Sequence, residues 1–353
     1  MAFMTLGAVN KLARAKMARL QQLSANLRRS SRVTCSPTVL DIETTTACNQ
    51  RCLTCPRTYI NPPARQMPMP LFERIIQESH RDVDFVHLYL LGEPLLDTDL
   101  EDRIRLCAKH KIATHVATNA SLLTEDRAHS LIDAGLSAMT FTISTTQPDV
   151  FRRLHGVAHY GRIIRNFENF LSIKRRLTAP VHVTLQIIRN PLTLMEVETV
   201  ANRWRHEPGI NAIQITQDEF GYIGWCPDEK FRRAKKNNDV CIHLWQGPLY
   251  IDADGGYFPC RLSALHSDPM ANARDMSPKE FWTSGMMSKL RENHLNGIVD
   301  DCLDCANCPV PKPIPSLCYL SYLASSWDAR LLGIMVERFA FLYNWRIQNR
   351  EIV

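Results

Sequence analysis

The 353-residue chain has no run of 18 or more apolar residues, so no stretch reads as a membrane-spanning helix. It also lacks a secretory h-region, which argues against an oxidising destination. Its first 37 residues contain no Asp or Glu. Charged residues make up 22% and the net charge is +6, too mild to imply a nucleic-acid partner, and none is expected. Hydrophobic content of 45% is ordinary for a globular protein, and the length suits one large domain with a smaller one. Against these absences stand twelve cysteines, at 35, 48, 52, 55, 107, 226, 241, 260, 302, 305, 308 and 318. In a small secreted protein they would suggest disulfides. In a long chain without a secretory signal, clustered at metal-ligand spacings, they point to thiols on metal in a reducing, cytoplasmic compartment.

The tightest cluster is Cys48-Asn49-Gln50-Arg51-Cys52-Leu53-Thr54-Cys55-Pro56, a C-x3-C-x2-C loop after the extended run Val39–Glu43. Three thiolates suit a 4Fe–4S cube and leave its fourth iron without a protein ligand. Half of a structural zinc site is the competing reading, although zinc usually takes two C-x2-C pairs.

From Thr38 to about Phe220 the pattern alternates strand and helix. Strand-like runs are Val39–Thr44, Phe85–Leu91, Thr114–Thr118, Ala138–Ser144, Val181–Ile188 and Ala212–Thr216. Helical segments between them are Leu71–His80, Leu100–Lys109, Glu125–Ala134, Tyr160–Arg176 and Leu194–Arg205. Strands joined by helical crossovers predict a parallel sheet. In parallel α/β folds the chemistry gathers at the C-terminal strand ends, where the cysteine loop falls.

The cysteine loop resembles the signature of the radical S-adenosylmethionine (SAM) superfamily. The strand-end motifs follow in that family's order. Leu91-Gly92-Glu93-Pro94 resembles its G-G-E-P strip, with Leu91 for the first glycine. Ala117-Thr118-Asn119-Ala120 resembles T-N-G, with Ala120 for the glycine. The resemblance implies an α/β fold, a partial (β/α)6 TIM-like barrel, spanning residues 38–225. It implies that Cys48, Cys52 and Cys55 hold the cluster and that SAM chelates the open iron. Cleavage then yields a 5′-deoxyadenosyl radical that abstracts a hydrogen atom. SAM contacts are expected from Gly92, Glu93, Pro94, Thr118, Asn119, Ser144, Arg153 and Asn190. The electron is expected from a flavodoxin or ferredoxin.

Beyond Phe220 the alternation stops. Cys241, thirteen residues, Gly255, four residues and Cys260 resemble the opening of a SPASM auxiliary-cluster domain, here spanning 226–320. Asp254-Gly255 reads as a hairpin turn, and Ser277-Pro278 as a helix start. Cys302-x2-Cys305-x2-Cys308 and Cys318 depart from the full SPASM spacing. Cys241, Cys260, Cys302 and Cys305 alone would complete one auxiliary 4Fe–4S cluster, as in the shortened twitch form. Cys226, Cys308 and Cys318 are candidate ligands of a second cluster or hydrogen-atom donors; a four-cysteine zinc ribbon is the alternative.

The termini are basic and amphipathic. In residues 1–37, Leu6, Val9, Leu12, Leu20, Leu23 and Leu27 share a helical arc beside seven cations, Lys11 to Arg32. This segment suits a helix packed on the body or one lying on an anionic membrane surface. Residues 321–353 read as a second amphipathic helix, closing on the barrel or auxiliary domain, with peripheral membrane association through the two terminal helices as the alternative. With only 37 residues before the first strand, a leader-binding domain is not expected. That favours a small-molecule substrate (a sugar, aminocyclitol or nucleoside) undergoing oxidation, epimerisation or C–C bond formation. A peptide maturase using a separate leader-binding protein is the runner-up, and a non-enzymatic zinc protein lies outside that class.

Overall fold

The alternation of strand and helix is the architecture of the chain. The protein is seen in a computed structural model that describes residues 6–217, 240–265, 267–299 and 305. Helix α1 (Leu6–Leu27) precedes β1 (Val39–Ile42), α2 (Pro56–Ile60), α3 (Met69–Ser79), β2 (Phe85–His87), α4 (Leu100–Lys109) and β3 (Ala113–Thr118). Then come α5 (Glu125–Asp133), β4 (Ala138–Thr142), α6 (Pro148–His155), α7 (Tyr160–Arg176), β5 (His182–Arg189), α8 (Val197–Trp204) and β6 (Ala212–Gln217). The described remainder is α9 (His243–Gln246), β7 (Leu249–Ile251), β8 (Gly256–Phe258), β9 (Ala271–Asn272), α10 (Pro278–Trp282) and α11 (Gly285–Leu295).

The sheet runs β6-β5-β4-β3-β2-β1-β7-β8-β9. β1 to β6 pair in parallel, β7 joins parallel to β1, and β8 and β9 continue antiparallel. The expected partial barrel is therefore present, and the Cys241–Cys260 hairpin extends its sheet past β1. The hairpin turns at Gly255, whose φ of +87° suits only glycine. Helix starts are chemically marked. Thr124 caps α5, and Ser277 with Glu280 forms a capping box on α10.

Alternation within the strands sorts the two faces of the sheet. Val86, Val116, Met139, Phe141, Val183 and Leu185 are fully buried and pack under Phe72, Ile76, Ile104, Phe167 and Phe170 of the helices. The opposite face is polar: His87, His115, Thr140, Thr142, Thr184 and Gln186. Both faces of a parallel strand are ordinarily apolar, so a polar face marks a lined interior.

Helix α1 differs from its apolar-arc reading. Its buried face is Ala15, Ala18, Arg19 and Gln22, while Leu20 and Leu27 are exposed. Small residues let the helix approach the body closely. Arg19 then donates to both oxygens of Asp84 at 2.5 and 2.7 Å, and Gln22 Nε2 to the Ser36 carbonyl at 3.1 Å. Polar partners waiting on the body outweigh the leucines. Among the described residues no helix is long and apolar enough to cross a membrane. The C-terminal segment 321–353 lies outside the described residues.

Candidate active site

The cysteine loop leaves the C-terminal end of β1 and is clamped from three sides. The end of α6 supplies one clamp. Arg51 N donates to the His155 carbonyl at 3.1 Å, and Leu53 N to that of Leu154 at 2.8 Å. Gly156 closes this contact, because a Cβ there would lie 2.9 Å from the Arg51 oxygen. Helix α2 supplies the second. Thr58 Oγ1 donates to the Cys52 carbonyl at 2.8 Å, Tyr59 to that of Leu53, and Arg57 Nε to that of Thr46 at 2.6 Å. The third is the β2 end. Gly92 lies so close that a Cβ would overlap the Thr45 carbonyl, and Glu93 N donates to the Ala47 oxygen at 2.7 Å.

Cys48, Cys52 and Cys55 are each partly exposed, on one short loop. Among the described residues no three His, Cys, Asp or Glu side chains converge as one metal ion would require. A cube makes a different demand, since each thiolate takes its own iron. The donor set and its placement at a strand end fit a 4Fe–4S cluster with one open iron. Burial, then the neighbouring thiols of Cys55 and Cys48, push Cys52 well above the usual thiol range. Loading the loop with iron must displace that proton.

The remaining predicted contacts fall into distinct roles. Glu93 is buried and accepts from Thr118 Oγ1 at 2.5 Å, Asn119 N at 2.9 Å and Leu95 N at 3.2 Å, joining the β2 and β3 ends. Pro94 opens the 3-10 turn Pro94–Leu96. Asn119 Nδ2 donates to Asn49 Oδ1 at 2.9 Å, and Asn49 Nδ2 to Ser121 Oγ at 2.8 Å, tying β3 to the loop. Ser144 is fully buried and accepts from Ile188 N at 2.9 Å. Asn190 Oδ1 holds its own turn through Leu192 N and Thr193 N, while its buried Nδ2 has no partner. Arg153 is exposed on α6. Ala120 stands at φ +59°, so the residue replacing the expected glycine carries left-handed strain of about 1–2 kcal/mol.

Cys241, Cys260 and Cys305 are partly exposed. Cys226, Cys302, Cys308 and Cys318 lie outside the described residues.

Residues that sequence reasoning missed complete the site. His155 Nδ1 lies 3.2 Å from Cys52 Sγ, and burial pushes the imidazole down to about 4. On the polar face His87 Nδ1 meets His115 Nδ1 at 2.9 Å, and His115 Nε2 meets Thr140 Oγ1 at 2.8 Å. Thr142 Oγ1 donates to Gln186 Oε1 at 3.2 Å. Asp41 is buried, with His87 Nε2 3.8 Å from Oδ1 and Arg261 3.6 Å from Oδ2. Burial pushes Asp41 up to about 6 and His87 down to about 3. Glu43, buried and accepting from Leu91 N and Tyr250 Oη, is pushed up to about 7. The two-residue alternation in Val86-His87-Leu88-Tyr89 and Thr140-Phe141-Thr142 was the available signal.

Residues 42–188 match the radical SAM superfamily. The chain is 26% identical over 314 residues to a tungsten-containing aldehyde ferredoxin oxidoreductase cofactor-modifying protein of Pyrococcus furiosus, covering 76% of this chain and 86% of that one. Among solved structures it resembles SuiB of Streptococcus suis bound to the precursor peptide SuiA, with a TM-score of 0.59 at 15% identity, covering 76% of this chain and 70% of SuiB. It also resembles BtrN in complex with AdoMet and 2-DOIA, with a TM-score of 0.51 at 15% identity, covering 78% and 93%. These structural likenesses establish the fold; the family match implies a 4Fe–4S cluster and SAM.

Proposed function

With residues 42–188 a radical SAM domain, we propose that the protein is an enzyme acting on a small polar molecule bound against the polar face of its sheet. When bound, the cofactors supply one-electron cleavage of SAM and hydrogen-atom abstraction from carbon. Cys48, Cys52 and Cys55 hold the cluster, and His155 orients Cys52. The backbone of Leu91-Gly92 presents polar groups beside the loop, with Glu93, Thr118 and Asn119 fixing that edge. Asn190, with its unpartnered Nδ2, is the further strand-end contact. Cys241, Cys260, Cys302 and Cys305 would hold one auxiliary cluster, which would supply electron acceptance and so make the net reaction an oxidation. A flavodoxin or ferredoxin would deliver the first electron.

The observation that carries the substrate class is the row Asp41, His87, His115, Thr140, Thr142 and Gln186. Neutral imidazoles, hydroxyls and an amide recognise hydroxyl and amino groups, as on a sugar or aminocyclitol. The Pyrococcus relative, named for modifying a cofactor, supports a small-molecule substrate too.

The test is anaerobic. Reconstituted protein with SAM and a reductant should form 5′-deoxyadenosine, faster with the right member of a panel of perdeuterated sugars and aminocyclitols. Deuterium should appear in the 5′-deoxyadenosine. Gln186→Leu should abolish the acceleration and spare the basal cleavage. Acceleration by a peptide alone would reject the small-molecule reading.

A further inference from the structure

The end of the sheet opposite the cysteine loop is cationic. Helices α3 and α4 both finish there and hand the chain to the N-terminal ends of β2 and β3. His80, Arg81, Lys109, His110 and Lys111 join Lys11 and Arg14 of α1 to line a hollow of about 380 Å³. Among the described residues no carboxylate lines it. The two helix C-termini supply about half a negative charge each, so they offset only about one of the five ammonium and guanidinium charges. One terminal carbonyl, that of His110, is taken by Lys11 Nζ at 2.7 Å. The acids nearest in sequence have partners of their own: Asp84 is gripped by Arg19, and Asp82 accepts from Ser36 Oγ at 2.6 Å.

The outward face of α1 continues this surface. Arg14 stands there, and Arg28 just past the helix end, with Met17, Leu20 and Leu27, which are 57%, 47% and 65% exposed. A helix that turns Ala15 and Ala18 inward and Met17, Leu20 and Leu27 outward leaves an exposed apolar strip. Cations set beside exposed aliphatic side chains suit the boundary between headgroups and acyl chains. Among the described residues the lining holds no Phe, Tyr or Trp to stack a nucleic-acid base.

We propose that α1, with the ends of α3 and α4, docks this protein on an anionic lipid surface. Parallel strands put the cysteine loop at the other end, so docking leaves the candidate active site facing the aqueous phase. The proposal is independent of the substrate reading.

The test is co-sedimentation of the full-length protein with vesicles of phosphatidylcholine, with and without phosphatidylglycerol. Retention is expected only on the anionic vesicles, with sodium chloride and inorganic phosphate releasing the protein equally at the same ionic strength; release by phosphate at an ionic strength where sodium chloride has no effect would overturn it. Each cation near such a surface strengthens partitioning about fivefold. The triple variant Arg14→Glu/Arg81→Glu/Lys109→Glu should therefore lose about a hundredfold or more. All three side chains are exposed, and far-UV circular dichroism checks the fold. If the reversal unfolds the chain, the corresponding Gln variants replace it. Met17→Ser/Leu20→Ser should weaken retention at constant charge. Equal binding to both vesicle types, or a triple variant that binds like wild type, overturns the proposal. So does capture of an acidic protein by this face without vesicle binding.

Discussion

Gly92→Ala is the sharpest test of how the strand ends hold the cysteine loop. The added Cβ would overlap the Thr45 carbonyl oxygen and lie 2.7 Å from its carbon and 2.9 Å from the Ala47 oxygen. Non-bonded heavy atoms rest about 3.5–4.0 Å apart, so backbone on one side must retreat by about an ångström. All three atoms are main chain, and no rotamer change relieves them. Retreat of the β2 end stretches Glu93 N–Ala47 O and Leu91 N–Glu43 Oε1, at 2.7 and 3.1 Å. Overpacking costs about 1–3 kcal/mol, and a buried hydrogen bond left unmade about 1–3. The variant should lose about 3–5 kcal/mol in anaerobic urea unfolding of the apoprotein. The loop carrying Cys48 should also reconstitute with less iron and sulfide per chain. The control is Gly285→Ala, at a helix start with nothing within 4 Å, which should be neutral or slightly stabilising. If Gly92→Ala unfolds within about 1 kcal/mol of wild type and takes up full iron, the close-approach reasoning is wrong.

Three further outcomes rest on other parts of the site. Glu43 is pushed from 4.5 up to about 7, so the folded state holds a proton the unfolded state has lost. Its contribution is whole below about pH 4.5 and vanishes as pH rises to about 7, a loss of about 3 kcal/mol. Glu43→Gln lacks that loss, so its urea midpoint should gain on wild type across this window; a constant difference would refute the assignment. Replacing His155, whose Nδ1 lies 3.2 Å from Cys52 Sγ, by Phe removes an imidazole placed to donate to the thiolate of the loaded loop. The reconstituted cluster's midpoint potential should fall by about tens of millivolts in anaerobic redox titration. Arg103 and Asp97 form a fully buried pair at 2.8 Å, with Arg103 also donating to the Met67 carbonyl at 2.5 Å. Arg103→Met strands the carboxylate and should cost about 3–5 kcal/mol by thermal or urea unfolding.

The two departures from the family's glycines show what a linear motif conveys. Leu91 in place of the first glycine looked mild, and the structure supplies the reason. Its amide donates to Glu43, and its side chain lines a hollow of about 210 Å³ with Tyr250 and Asp252, so a side chain has room. Gly92 has none. Both residues sit in one tripeptide, and only the backbone of Thr45, folded against it from β1, distinguishes them. The cysteine spacing, the order of βα units and the Asp254-Gly255 turn were legible because each is fixed by neighbours along the chain. The contacts that give the loop its shape were not. His155 reaches Cys52 across 103 positions, Asn119 reaches Asn49 across 70, and Tyr250 reaches Glu43 across 207. Each partner has an ordinary local context, such as a helix end, a turn or a strand. Helix α1 makes the same point in reverse. Its leucine arc was conspicuous, yet Arg19 and Gln22 face inward because Asp84 and Ser36 wait on the body. A period of 3.6 residues says that a helix has sides; the charges on the surface it meets decide which side turns in. The polar strand face was the legible signal left unused. Alternation in strands expected to be buried on both faces means that one face lines a space, and the residues on it belong with the chemistry rather than the core.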